Sequence, residues 1–278
     1  MTNYYVCSTT GSNSNPGTET APFKTIQYIA EKAQPGDTIN VFPGIYRERV
    51  SPSFQGERQQ PITYKSIEKH GAIVRGSIAW NYETLENNIA SGPIDDTLFS
   101  DHSHLDGHNP FHIPLTVTPQ KREGFPETKI DEIKNSDPNM IYCLGQVFVD
   151  DEMFLQTPYK TEMESTNKSW FYDTSSNVLY INGVIEGQTV EITNQRRLFA
   201  PHKRNLRNII VDGFIFERCA NQYPNKFWSN KHNQQAGAFG TRCGKYWIIK
   251  NNIIRYANCV GIDWGNEGNL NQDLEHGD

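Results

Sequence analysis

Residues 34–50, QPGDTINVFPGIYRERV, decide how this chain folds. From Asp37 to Phe42 the residues alternate as a strand does, with Ile39 and Val41 on one face. Pro43 and Gly44 then break the run, and residues 45–50 resume it. PITYKS (61–66) and AIVRGS (72–77) repeat the format of a short strand followed by a turn. Strands this short between corners this sharp are not hairpins. They are expected as successive sides of a coil that keeps winding. Upstream, YYVC (4–7) reads as a strand ended by the turn-rich STTGSNSNPGT. Phe23, Ile26, Ile29, Ala30 and Ala33 then fall at helical spacing, with Thr25 placed to cap the start and Pro35-Gly36 to stop the helix.

The C-terminal part carries an internal repeat. NIIVDGFIFERCAN (208–221) and YWIIKNNIIRYANC (246–259) superpose with Ile209 on Trp247, Val211 on Ile249, Gly213 on Asn251 and Ile215 on Ile253. Each copy is an alternating strand, a corner of Asp-Gly or Asn-Asn that tolerates the left-handed region, and a second alternating strand. The offset, 247 − 209 = 38 residues, exceeds the roughly twenty residues of one solenoid turn. A loop, or a further coil, is therefore expected between the copies. Residues 78–205 are less regular and read as a β-rich insertion within a single domain spanning 1–278. QTVEITNQRRLF (188–199) is expected to return to the coil.

The composition fits an all-β repeat fold. Only 36% of residues are hydrophobic, yet 14 Phe, 13 Tyr and 5 Trp supply enough to bury. The net charge of −6 argues against a nucleic-acid partner. No apolar run is long enough to span a membrane. The five cysteines are scattered without metal-type spacing, so free thiols in a reducing, cytoplasmic setting are expected. A secreted or periplasmic chain with its signal removed would read the same way.

The N-terminal stretch YYVCSTTGSNSNPGTETAPFKTIQYIAEKAQPGDTINVFPGIYRERV resembles the start of right-handed parallel β-helix proteins. That resemblance implies that the helix caps the open end of the coil. A narrower one follows from the order of cap, PITYKS coil, insertion with Asn109-Pro110-Phe111, and WIIKNNIIRYANCVGI coil, which is similar to glycoside hydrolase family 120. It implies a retaining β-xylosidase-like enzyme acting on an oligo- or polysaccharide. In that family the catalytic carboxylates sit in later coils. This sequence ends at NEGNLNQDLEHGD, where those coils should begin, which leaves two readings: the C-terminal coils are missing, or the chemistry is lost or rearranged.

Within the 278 residues, GIDWGNEG supplies the best local carboxylates, Asp263 and Glu267, beside Trp264. Sugar sites pair carboxylates with aromatic platforms, and retaining cleavage needs two carboxyl groups roughly 5–5.5 Å apart. The plain alternative makes Asp263 a corner hydrogen-bond acceptor and Glu267 a loop carboxylate. Tyr223, Trp228 and His232 in YPNKFWSNKHNQQAG, with His108 in DHSHLDGHNPFH, are the candidate substrate contacts. The His-rich cluster lacks zinc spacing, and Asp150-Asp151-Glu152 reads as a solvated turn, so no metal is expected. A calcium role would need oxygen ligands converging from other coils, which the spacing does not show, so no cofactor is expected. A polysaccharide lyase and a non-catalytic glycan-binding or structural β-helix are the alternative readings.

Overall fold

The computed structural model describes residues 1–99, 109–112, 143–221 and 237–264, and is mostly β with two short α-helices. Five strands precede the insertion: β1 (Asn3–Val6), β2 (Thr38–Val41), β3 (Gly44–Tyr46), β4 (Ile62–Ser66) and β5 (Ala72–Arg75). The insertion carries β6 (Ser77–Ala79), β7 (Thr84–Glu86), β8 (Ile89–Pro93), β9 (Val147–Val149), β10 (Glu152–Gln156), β11 (Ser169–Asp173), β12 (Val178–Asn182) and β13 (Val190–Thr193). After it come β14 (Ile209–Asp212), β15 (Ile215–Cys219), β16 (Phe239–Gly240), β17 (Ile248–Lys250), β18 (Ile253–Ala257) and β19 (Ile262–Asp263). Contacts divide the chain into two units. One holds Met1–Ser77 with 195–221 and 237–264, and the other holds Ile78–Asn194.

Among the described residues of the first unit, the named strands pair only in parallel, and Glu57 with Gln60 makes an isolated antiparallel bridge. One stack runs β1-β2-β4-β14-β17 and a second runs β18-β15-β5-β3. A third passes from Val50 through Phe199 to Phe239, and β16 then pairs with β19. The chain turns from the first stack to the second at each corner the sequence marked. Gly213 and Asn251 take positive φ values of 84° and 57° at equivalent corners. The Asn252 side chain accepts from Phe214 N–H at 2.8 Å and donates to Val211 C=O at 2.9 Å, tying two successive corners together.

The 38-residue superposition is the observed register, with Ile210 on Ile248 and Ile215 on Ile253. These strands are direct hydrogen-bonded neighbours, so the suggestion of a further coil between them does not hold. In-register parallel pairing puts like positions on top of one another. Ile39, Tyr64, Val211 and Ile249 form one column, and Tyr46, Val74, Phe216 and Ile254 another. Aromatic rings fill the space between the stacks. Phe199 lies flat on Phe239 at 5.0 Å and 6°, and edge-on to Tyr64, Phe216 and Trp247.

Helix α1 (Ile26–Ala30) starts at Thr25, whose side chain accepts from Tyr28 N–H, and buries Ile26, Ile29 and Ala30. Five residues are too few to form a stable helix alone. Packing on the core that includes Val6, Phe23 and Val41 holds it in place. A second restraint was not legible in the sequence: Glu48 accepts Ile26 N–H at 2.9 Å and Gln27 N–H at 2.8 Å. Gly11 matters here for space, because a Cβ there would lie 2.1 Å from Phe23 O.

The second unit is built on the sheet order β6-β13-β9-β10-β11-β12-β8-β7. Its pairs are antiparallel except β10 with β11, which helix α2 (Lys160–Ser165) connects. Asp150 and Asp151, at φ 45° and 69°, make the two-residue turn between β9 and β10, as a right-twisted hairpin requires. Phe111 of the Asn-Pro-Phe motif is buried edge-on against Trp170 and Tyr172, and Asn109 caps its backbone N–H. The motif is an anchor of this core. The expected return to the coil at 188–199 is corrected in part. β13 pairs antiparallel with β9 inside this unit, and Gln195, whose N–H bonds Gly76 C=O, is where the chain rejoins the first unit. Alternation alone could not choose between the two sheets, because all four β13 residues are buried.

Two outcomes follow. Phe199→Ala should cost about 3–5 kcal/mol, the usual loss for emptying a buried aromatic site, read from urea unfolding. A change under about 1 kcal/mol would mean that the ring column is not the core. Burial pushes the Glu48 carboxyl up from 4.5 to about 7, against its two N–H donors. The folded state then keeps a proton that the unfolded chain releases in this window, so stability should fall as pH rises from 4.5 to 7. Glu48→Gln should flatten that slope in a melting profile, and an unchanged slope would assign it to other groups.

Candidate functional site

Asp263 ends β19, where it pairs with Gly240 of β16. The glycine leaves room for the carboxylate, since a Cβ at position 240 would sit 2.4 Å from Asp263 Oδ2. Gly237 N–H donates to the same oxygen at 2.7 Å. Arg197 Nη2 lies 3.6 Å from it, and both side chains are buried. Asp263 is thus a buried anion fixed by a guanidinium and a backbone donor. Trp264 follows with 63% of its surface exposed. Its carbonyl accepts from Thr241 Oγ1 at 3.1 Å and from Cys243 N–H at 3.0 Å, so the backbone under the exposed indole is held rigid.

The surroundings are rich in arginine. Burial, together with the nearby guanidiniums of Arg197, Arg242 and Arg196, pushes Arg49 down to about 9. Arg242 donates to the carbonyls of Pro201 and His202. Cys219 belongs to the same region; burial pushes its thiol up to about 12, and it donates to Arg196 C=O at 2.7 Å. That thiol is no nucleophile. Cys7 differs, because hydrogen bonds from Thr10 and Thr9 outweigh burial and bring it down to about 7. None of the five cysteines is joined to another in a disulfide.

A second buried carboxylate escaped the sequence reading. Glu217 has no exposed surface. It accepts from Arg75 Nε at 2.6 Å and from Arg255 Nε at 2.8 Å, with Arg255 Nη2 at 2.6 Å. The three residues stand in register on β5, β15 and β18. The 38-residue superposition already set Glu217 opposite Arg255, which is the signal that could have found the pair. With both oxygens engaged and the group fully buried, its role is to tie three neighbouring strands together.

Of the residues singled out from the sequence, Asp263 and Trp264 stand side by side in this setting. Glu267, Tyr223, Trp228, His232 and His108 lie outside the described residues. Of the His-rich cluster, His112 sits with Nδ1 3.7 Å from Asp96 and Nε2 3.2 Å from Asn177. Among the described residues no group of three or more His, Cys, Asp or Glu side chains is placed to hold a metal ion.

This geometry can be set beside known proteins. The chain is similar to XylC. The XylC structure, solved with xylose, superposes with a TM-score of 0.74 at 25% identity, covering 95% of this chain and 42% of XylC. The likeness to glycoside hydrolase family 120 read from the sequence therefore extends to the structure. A second solved structure, described as a glycoside hydrolase, aligns with a TM-score of 0.48 at 10% identity over 81% of this chain and 52% of its own. A family model described as a protein of unknown function, DUF1565, matches residues 9–61, which hold α1, β2 and β3. The uncharacterized protein YwoF of Bacillus subtilis (strain 168) is 34% identical over 83 residues, 29% of this chain and 18% of YwoF. The chain thus spans less than half of XylC, and its match covers a smaller share still of YwoF.

Removing one partner of a buried ion pair leaves the other charge uncompensated, at a cost of about 3–5 kcal/mol. Arg197→Ala is expected to lose stability on that scale in denaturant unfolding. A loss below about 1 kcal/mol would show that the 3.6 Å contact is not a working pair.

Proposed function

We propose that this chain is part of a carbohydrate-active enzyme of the glycoside hydrolase type, built as a right-handed parallel β-helix and cleaving xylosides or related oligosaccharides with retention. The observation that carries the reading is the likeness to XylC over 95% of the chain, XylC having been solved with xylose. The parallel stacks and their in-register corners support the β-helix assignment.

Asp263 and Glu267 are the proposed catalytic carboxylates, with Trp264, Trp228, Tyr223, His232 and His108 as sugar contacts. A fixed anion beside an exposed indole suits a nucleophile below a pyranose ring. Retention would proceed through a glycosyl-enzyme intermediate. Asp263 attacks the anomeric carbon, the glycosidic bond breaks, and Glu267 protonates the departing oxygen. Glu267 then takes a proton from the water that releases the sugar.

The test is an aryl β-xyloside assay scored for reducing sugar and for unsaturated product. Xylose release is expected, and Asp263→Asn should cut kcat/KM by at least 10²-fold, the scale on which positioned carboxyl groups act. Full activity in that variant would put the catalytic carboxylates elsewhere. Unsaturated product would make the protein a lyase. No product from the folded chain would favour a binding or structural role.

A further inference from the structure

The second unit holds a notch that the proposed reaction does not use. Trp80 N–H bonds Val190 C=O at 2.9 Å where β6 ends and β13 begins. Beside this bond the two segments part around a cavity of about 270 Å³ lined by Trp80, Asn81, Tyr82, Gly187, Gln188 and Thr189, with Ala79 and Val190 at its ends. None of these residues carries a charge at neutral pH.

The walls are fixed. The Trp80 indole donates to Pro93 C=O at 3.0 Å, and Gly92 lets the ring lie close, since a Cβ there would be 3.2 Å from it. Gln188 Oε1 accepts from Ile185 N–H at 2.9 Å, leaving its NH₂ as a donor. Thr189 N–H is held by Asp150 Oδ1 at 2.9 Å. A Cβ on Gly187 would meet nothing within 4 Å, so the space beside it is open. Asn81 is exposed and Tyr82 half-buried, which presents an amide next to an aromatic surface.

Uncharged donors and acceptors beside an aromatic face suit a sugar ring, and the lack of charge disfavours uronates and phosphates. The volume falls below the roughly 300–1,000 Å³ of drug-sized pockets, so a single ring fits and a chain does not. We propose that this notch of the second unit is a further binding site, built from its own residues, for one neutral pyranose at the end of a glycan. Its ligand class rests on the glycoside hydrolase reading, and its geometry does not.

The experiment is a titration of the ¹⁵N-labelled full chain with methyl β-D-xyloside, with glucuronate as the charged control. Saturable shifts of the Trp80 indole and Asn81 amide signals are expected at millimolar ligand, with little response to glucuronate. Asn81→Ala, a surface change that should not disturb folding, is expected to weaken binding at least about fivefold, which is about 1 kcal/mol. Tyr82→Ala should weaken it further. No saturable shift up to about 100 mM, equal shifts in Asn81→Ala, or an equal response to glucuronate would each overturn the site. Shifts in a chain that hydrolyses nothing would support the site and sink only the enzymatic reading. Hydrolysis without these shifts would do the reverse.

Discussion

Parallel, in-register pairing is the constraint on which the first unit rests. Hydrogen bonding in that geometry places each residue above its counterpart on the neighbouring strand, so an inward side chain must meet another inward side chain. Ile39, Tyr64, Val211 and Ile249 obey this in one stack, and Tyr46, Val74, Phe216 and Ile254 in the other. Phe199 and Phe239 extend it to the third, where their rings stack nearly parallel. A one-residue slip would turn every one of these side chains outward.

The same register organises charge on the alternate positions of these strands. Arg75, Glu217 and Arg255 occupy equivalent positions on three strands, so one carboxylate serves two guanidiniums. Asp263 is held differently, by Arg197 and by Gly237 N–H, over a glycine that leaves it space. Burial makes such pairs costly to assemble and costly to break. A carboxylate kept in this way is fixed in position, which serves a structural corner and a reacting group equally well. Beside it Trp264 leaves its indole exposed.

The insertion follows another logic. Its sheet is antiparallel almost throughout, closed by a two-residue turn at Asp150-Asp151 and filled by Trp170, Phe111 and Tyr172. Asn109-Pro110-Phe111, part of the resemblance to glycoside hydrolases, works here as an anchor of that core.

Local features of the chain were legible in the sequence. Alternation marked the strands, Asp-Gly and Asn-Asn marked the corners, Thr25 marked the helix start, and the 38-residue offset became the register itself. Each depends on neighbours close along the chain or on a pattern that repeats. What only the tertiary structure decided is non-local. Ile62 lies beside Ile209 across the whole insertion, β13 joins the inserted sheet although its alternation suited either, and the repeat copies touch with no coil between them. The partners of Glu48, Glu217 and Asp263 belong to the same class. A residue's own periodicity fixes which way it points, but the charge or backbone donor it meets comes from a strand whose place is set only when the stacks assemble.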